Sequence, residues 1–164
     1  MWNSLLSQAA IDQLLIDFGD FHDACLREIS IATETYVADN LSMNCPPHLD
    51  TSVLLLFQRQ ARPLPAIEIK CEQVSELHFT PTADGCDSII SSGTLSLAEG
   101  GVRLAINFFG GPLQGLPGSS IFIRSRSNKQ SDLVVTARSV FWRSLDDGLG
   151  DTLRYRPKEP ESGK

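Results

Sequence analysis

The chain has 164 residues, of which 41% are hydrophobic and 21% charged. That length predicts one domain able to bury roughly 70% of its unfolded surface without staples, and the low charged fraction excludes a wholly disordered chain. A formal net charge of −6 and a sequence pI near 5.0 exclude non-specific nucleic-acid binding and an anionic membrane surface as partner, both of which need Lys and Arg, while permitting a basic partner drawn in by long-range attraction.

The N-terminal segment reads as a helix. Trp2, Leu6, Ala9, Ala10, Leu14 and Phe18 recur at spacings near four, and Leu5, Ile11 and Leu15 widen the stripe. Asn3, Ser4 or Ser7 can cap its start, and Gly19 can end it in the left-handed conformation.

From there the pattern is extended chain. A first strand is expected over Ala24–Val37, with a bulge to reconcile Leu26 and Ile29, which fall on opposite parities. A loop holding Asn44-Cys45-Pro46-Pro47 leads to a second strand, Thr51–Gln60. Its run Val53–Phe57 is apolar on both faces, as in a central strand covered on both sides. Arg62-Pro63-Leu64-Pro65 is a turn, since neither proline can donate to a ladder. In the third strand Ile67, Ile69 and Cys71 point inward, and Glu68, Lys70 and Glu72 point to the wet face. Its parity shifts near Val74-Ser75, a bulge or short turn, before Leu77 and Phe79.

Glu99-Gly100-Gly101 joins Thr94–Ala98 to Val102–Phe109 as a hairpin. A long Gly/Pro loop over Gly110–Gly118, a sixth strand over Ser120–Ser127 and a seventh over Leu133–Arg143 follow. Long loops carry function more often than tight turns, so Gly111 and Gln114 are candidate contact residues. The fold expected is α+β: an N-terminal helix, then a curved, mainly antiparallel sheet of about seven strands. Residues 1–153 form the domain and 154–164 a flexible tail. With no positively charged leader at Met1-Trp2-Asn3-Ser4 and no apolar run long enough to span a bilayer, a cytoplasmic location is expected.

Reactive side chains are densest in Phe21-His22-Asp23-Ala24-Cys25. One reading is a pocket in which Cys25 acts as nucleophile with His22 as base, or His22 and Asp23 as an acid–base pair. The other is structural. Neighbours on a strand face opposite sides, so His22 and Asp23 end the helix-to-strand turn and bond its free backbone groups. Cys25, Cys45, Cys71 and Cys86 have no metal-knuckle or redox spacing, and with His48 and His78 they form no recognisable ligand motif. The Gly110–Gly118 loop lacks the lysine of a phosphate-binding loop, and Asp146–Asp151 lacks the closing Glu of a calcium loop. No cofactor, metal or catalytic residue is assigned on these grounds. Phe141 and Trp142 are expected to pack in the core or anchor an edge.

Phe18-Gly19-Asp20-Phe21-His22-Asp23-Ala24, followed after a strong apolar strand by Ile67–Leu77, resembles small bacterial immunity-type proteins of polymorphic toxin systems and related families opening with Phe-His-Asp. The resemblance covers about residues 15–80. It implies a non-catalytic protein that binds and blocks a toxin, and the negative charge suits a basic one such as a nuclease. Three readings result. The first is a protein-binding module using Glu68, Glu72 and Glu76 together with the 110–118 loop. The second is a small-molecule binder or enzyme with a pocket at His22, Asp23 and Cys25. The third is a homo-oligomer pairing through a sheet face or edge.

Overall fold

The computed structural model describes residues 1–82, 87–109, 131–145, 149–151 and 153. In chain order the elements are β1 (Asn3–Ser4), α1 (Gln8–Phe18), a 3-10 turn (Gly19–Phe21), β2 (Ala24–Thr33), β3 (Tyr36–Val37), β4 (Met43–Asn44), β5 (Thr51–Arg59), β6 (Ala66–Phe79), β7 (Ile90–Ala98), β8 (Gly101–Phe108) and β9 (Leu133–Ser144). Among the described residues the main sheet has seven strands in the order β2-β5-β6-β9-β8-β7, with β1 beside β9, and all these pairings are antiparallel. One N-terminal helix and a mostly antiparallel sheet make this the α+β architecture expected from the sequence. The end strands meet at a bridge between Cys25 and Ile89, so the sheet curls back towards itself. Among the described residues no helix is long and apolar enough to cross a membrane.

The helix starts later than its apolar stripe suggests. Ser7 is the cap, its hydroxyl accepting from the Ala10 amide at 3.3 Å. Asn3 and Ser4 instead pair with Trp142 and Phe141 of β9. Competition from that strand edge takes Trp2 to Leu6 out of the helix. The helix ends as expected, at Gly19 with φ 64°.

The concave face of the sheet and the helix share one core. Ile11, Leu14 and Phe18 of α1 pack with Leu55, Phe57, Ile67, Ile69, Leu104, Ile106 and Val135. Phe21 stacks edge-on against Phe18 and Phe57, with ring centroids 5.3 and 5.0 Å apart. Burial of each such ring contributes about 1.5–3 kcal/mol. Gly93 of β7 makes room for it, because a Cβ there would lie 2.7 Å from the Phe21 ring.

Both expected bulges are present, as register shifts between Leu26 and Glu28 and between Val74 and Glu76. Gln73, with φ 54°, precedes the second, and β6 runs through it unbroken. Glu99 and Gly100 close the β7–β8 hairpin. The central strand β5 is covered on both sides: Leu55 and Phe57 face the main core, and Leu56 packs with Ala66 and Leu145 on the other face. The first strand ends at Thr33 rather than Val37, and the chain then forms a separate hairpin, β3–β4. The expected sixth strand, the 110–118 loop with Gly111 and Gln114, and the 154–164 tail lie outside the described residues.

Candidate functional site

The Phe-His-Asp stretch is an unusual turn. Gly19, Asp20, Phe21 and Asp23 all have positive φ, between 51° and 64°. Glycine adopts that region freely and aspartate tolerates it; for phenylalanine it costs roughly 1–2 kcal/mol. Packing between Phe18 and Phe57 holds Phe21 there. Such backbone is kept only where the surroundings over-determine it, commonly at functional sites.

The turn's backbone amides are met by backbone carbonyls. His22 N–H donates to Gly19 O at 2.9 Å and Asp23 N–H to Ile90 O at 3.2 Å. The side chains of His22 and Asp23 are therefore free to meet each other, His22 Nδ1 lying 3.2 Å from Asp23 Oδ2. This corrects the expectation that strand alternation keeps them apart and that they bond the turn's backbone. Alternation applies only from Ala24 onward, and the left-handed φ of Asp23 swings its carboxylate back to the ring. The His22 ring also stands edge-on to Phe109 at 5.9 Å.

His22, Asp23 and Cys25 line one cleft of about 620 Å³ with Gln58, Arg59 and Ile89. Leu149 forms part of its wall. Its segment is tied across β2 and β5 by Gln58 Nε2, which donates to Gly150 O at 3.2 Å, and by Arg27, which donates to Asp151 O. Arg59 is committed to the fold. Its Nε donates to Leu64 O at 2.8 Å and its Nη2 to Asp17 O at 2.6 Å, with the guanidinium 4.7 Å above the Phe18 ring. A cation on the last helical carbonyls also suits the helix dipole.

Burial pushes the Cys25 thiol above its ordinary value, outweighing the Gln58 backbone bond and the Arg27 charge, so the thiol holds its proton at neutral pH. Among the described residues no hydrogen bond joins it to His22. The cleft offers a His–carboxylate pair and apolar walls, which suit binding. Among the described residues it does not assemble an activated nucleophile.

The acidic sheet face differs from expectation. Glu68 is not on a wet face. It is fully buried, and Arg143, itself stacked 4.6 Å from the Trp2 ring, bonds it. Its register partners are Leu56 and Arg143, so it shares the cover over the second apolar patch. Glu72 pairs with Lys70 at 2.5 Å. Glu76 accepts from Thr136 at 2.9 Å and from Arg103. Each of these carboxylates faces a cation, leaving this face little net charge with which to draw a basic partner. Neither Glu68 nor Glu72 lines the His22 cleft.

No protein-family model matches the chain, nor does any curated protein or solved structure. Function therefore rests on the geometry alone.

A second surface went unrecognised in the sequence: the β3–β4 hairpin. Val37 stands opposite Met43 on one face of the ribbon, and Tyr36 opposite Asn44 on the other, where Asn44 Nδ2 donates to the Tyr36 hydroxyl at 2.8 Å. Tyr36 and Val37 are 56% and 60% exposed, and Met43 and Leu41 are 71% and 84% exposed. Successive strand residues point to opposite faces, so exposure of both means that neither face lies on the body. The neck is clasped by Thr35 Oγ1 donating to Asp50 Oδ2 at 2.6 Å and by Glu34 N–H donating to Asp50 O at 3.2 Å. The tip is fixed by Ala38 N–H to Ser42 O at 2.9 Å and by Asn40 Oδ1, which accepts from the Ser42 amide and hydroxyl. The available signal was Asp39-Asn40, a turn-forming pair between two short apolar runs.

Proposed function

We propose that the protein is a non-catalytic protein-binding module, immunity-like in the sense of its Phe-His-Asp resemblance. The β3–β4 hairpin carries this reading, as an ordered ribbon that offers Tyr36, Val37, Leu41 and Met43 to solvent on both faces. Contiguous exposed apolar groups on a defined element are characteristic of interaction sites, and aromatic and methionine side chains are enriched there. The protonated Cys25 thiol supports the non-catalytic part of the reading. The test is affinity chromatography of extract from the producing cell over the immobilised full-length chain. Retention of a protein at low salt that elutes at high salt is expected; a clean absence of partners at low salt refutes the reading.

A second reading, a small-molecule binder, is favoured by the cleft at His22, Asp23 and Cys25. Its volume of about 620 Å³ falls within the range of ligand sites. Amide shifts at Cys25, Gln58 and Ile89 during titration with a small-fragment library support it, and a library that moves none of them removes it.

A further inference from the structure

We infer that the hairpin seats its tip in an apolar cleft of a partner protein rimmed by Lys and Arg. The inference rests on the protein-binding reading and adds the surface and the partner's chemistry.

Charge on the hairpin selects the partner. Residues 34–50 hold three carboxylates, Glu34, Asp39 and Asp50, and neither Lys nor Arg. Glu34 meets His48 at 3.3 Å, and Asp50 is met by the hydroxyls of Thr35 and Thr51; both carboxylates line a cleft whose Lys70 is paired with Glu72. Among the described residues no cation pairs with Asp39. The carboxylates of β6, by contrast, are each neutralised by a Lys or Arg. Among the described residues the hairpin and its neck thus carry an excess of carboxylates over Lys and Arg, next to exposed apolar groups. A second copy of the chain would bring a like-charged hairpin and a body of net charge −6, and an anionic membrane would repel it as well. A cation-rimmed surface gains attraction from the carboxylates.

Shape selects a cleft over a flat face. Tyr36 is exposed on one side of the ribbon, Val37 and Met43 on the other, and Leu41 at the tip. A flat surface would bury one side only. A slot buries both, and the bonded neck and tip reduce the ordering cost of insertion.

The test uses the full-length chain in the cell that produces it, with benzoylphenylalanine placed at Leu41, at Met43, or at the exposed helix residue Ile16 as control. Light-induced cross-links at 41 and 43, absent at 16, are expected to map to one protein, on a segment where Lys and Arg flank apolar residues. Asp39→Lys is expected to cut the yield severalfold. Leu41→Asp with Met43→Asp is expected to weaken binding of the captured partner at least about tenfold, as loss of a central apolar anchor does. Both sites are exposed, so this variant keeps its fold, which circular dichroism checks. Cross-links to a second copy, to lipid or to an acidic segment, or equal yields at 16 and 41, overturn the inference. If chromatography still retains a partner that never cross-links at 41 or 43, the inference falls and the protein-binding reading stands.

Discussion

Gly93→Ala tests whether the Phe-His-Asp turn is held from below. A Cβ on residue 93 would lie 2.7 and 2.8 Å from Phe21 Cδ2 and Cβ, and 2.9 Å from Ile106 Cδ1. Phe21 and Ile106 are fully buried, and Phe21 is wedged between Phe18 and Phe57 on a left-handed backbone, so neither can retreat cheaply. Overpacking of this kind costs typically 1–3 kcal/mol. Losing a strand glycine returns about 0.5–1 kcal/mol of chain entropy. The balance is a loss of roughly 1–2 kcal/mol, which for a chain of this size lowers Tm by about 2–8 °C. Urea denaturation followed by circular dichroism should show a lower midpoint at unchanged slope. Phe21→Leu frees space at the contact, so the double variant should be more stable than the sum of the two single losses predicts. Strict additivity, or an alanine variant as stable as the parent, would refute the wedge. The His22 ring proton signals report the consequence for the cleft, because any shift of Phe21 moves the residue bonded to it.

Glu68→Ala leaves Arg143 without its buried partner. Arg143 is 37% exposed, so water recovers part of the loss, and a cost of about 2 kcal/mol is expected in the same denaturation assay, below the range for fully buried pairs. The Glu76 carboxyl is held below its ordinary 4.5 by the Thr136 hydroxyl and by Arg103. Its folded-state value is lowered, so its contribution is present above pH 4.5 and is lost as pH falls through the folded value. Glu76→Gln should flatten that acid limb of a stability–pH curve and leave its neutral region unchanged in shape. Burial pushes the Cys71 thiol up to about 12, whereas Cys45 is exposed. Native protein treated with iodoacetamide at mildly alkaline pH should be alkylated at Cys45 first and at Cys71 only after unfolding, as read by peptide mass spectrometry. Leu41 has φ 65° at the hairpin tip. Leu41→Gly should relieve about 1 kcal/mol of local backbone cost while weakening partner binding, a divergence that thermal melting and affinity measurement together would detect.

What the sequence made legible follows from periodicity. Ile67, Ile69 and Cys71 alternate and are buried together, and Val53–Phe57 is apolar throughout because β5 is covered on both faces. Ser7 and Gly19 bound the helix through local backbone chemistry that needs no tertiary context. The failures are tertiary. Nothing in Trp2–Leu6 reveals that an edge of β9 lies open to Asn3 and Ser4. Glu68 has the parity of a wet residue, and only the cover over its neighbour Leu56, with Arg143 opposite, takes it out of water. Of the candidate residues, His22, Asp23 and Cys25 were close in sequence and meet in one cleft. The carboxylates of β6 looked like a charged surface because their Lys and Arg partners come partly from strands far along the chain.

The two surfaces divide the labour in a way the motif itself does not express. Phe21 is sealed in the core and Gly93 makes room for it, so one of the three residues of the Phe-His-Asp signature serves packing. What the motif describes here is a turn and the start of a strand. It says little about which partner is held. The β3–β4 hairpin is an excursion between two strands, β2 and β5, that pair with each other along their whole length, from Ala24 opposite Arg59 to Thr33 opposite Thr51. Its exposed apolar groups contribute little to folding, because they bury little on folding. Under the binding reading proposed above, Tyr36, Val37, Leu41 and Met43, which give the fold so little, serve a contact made outside the chain. The scaffold bears the constraint of stability, and under the binding reading proposed above the hairpin would be free to match a partner's cleft.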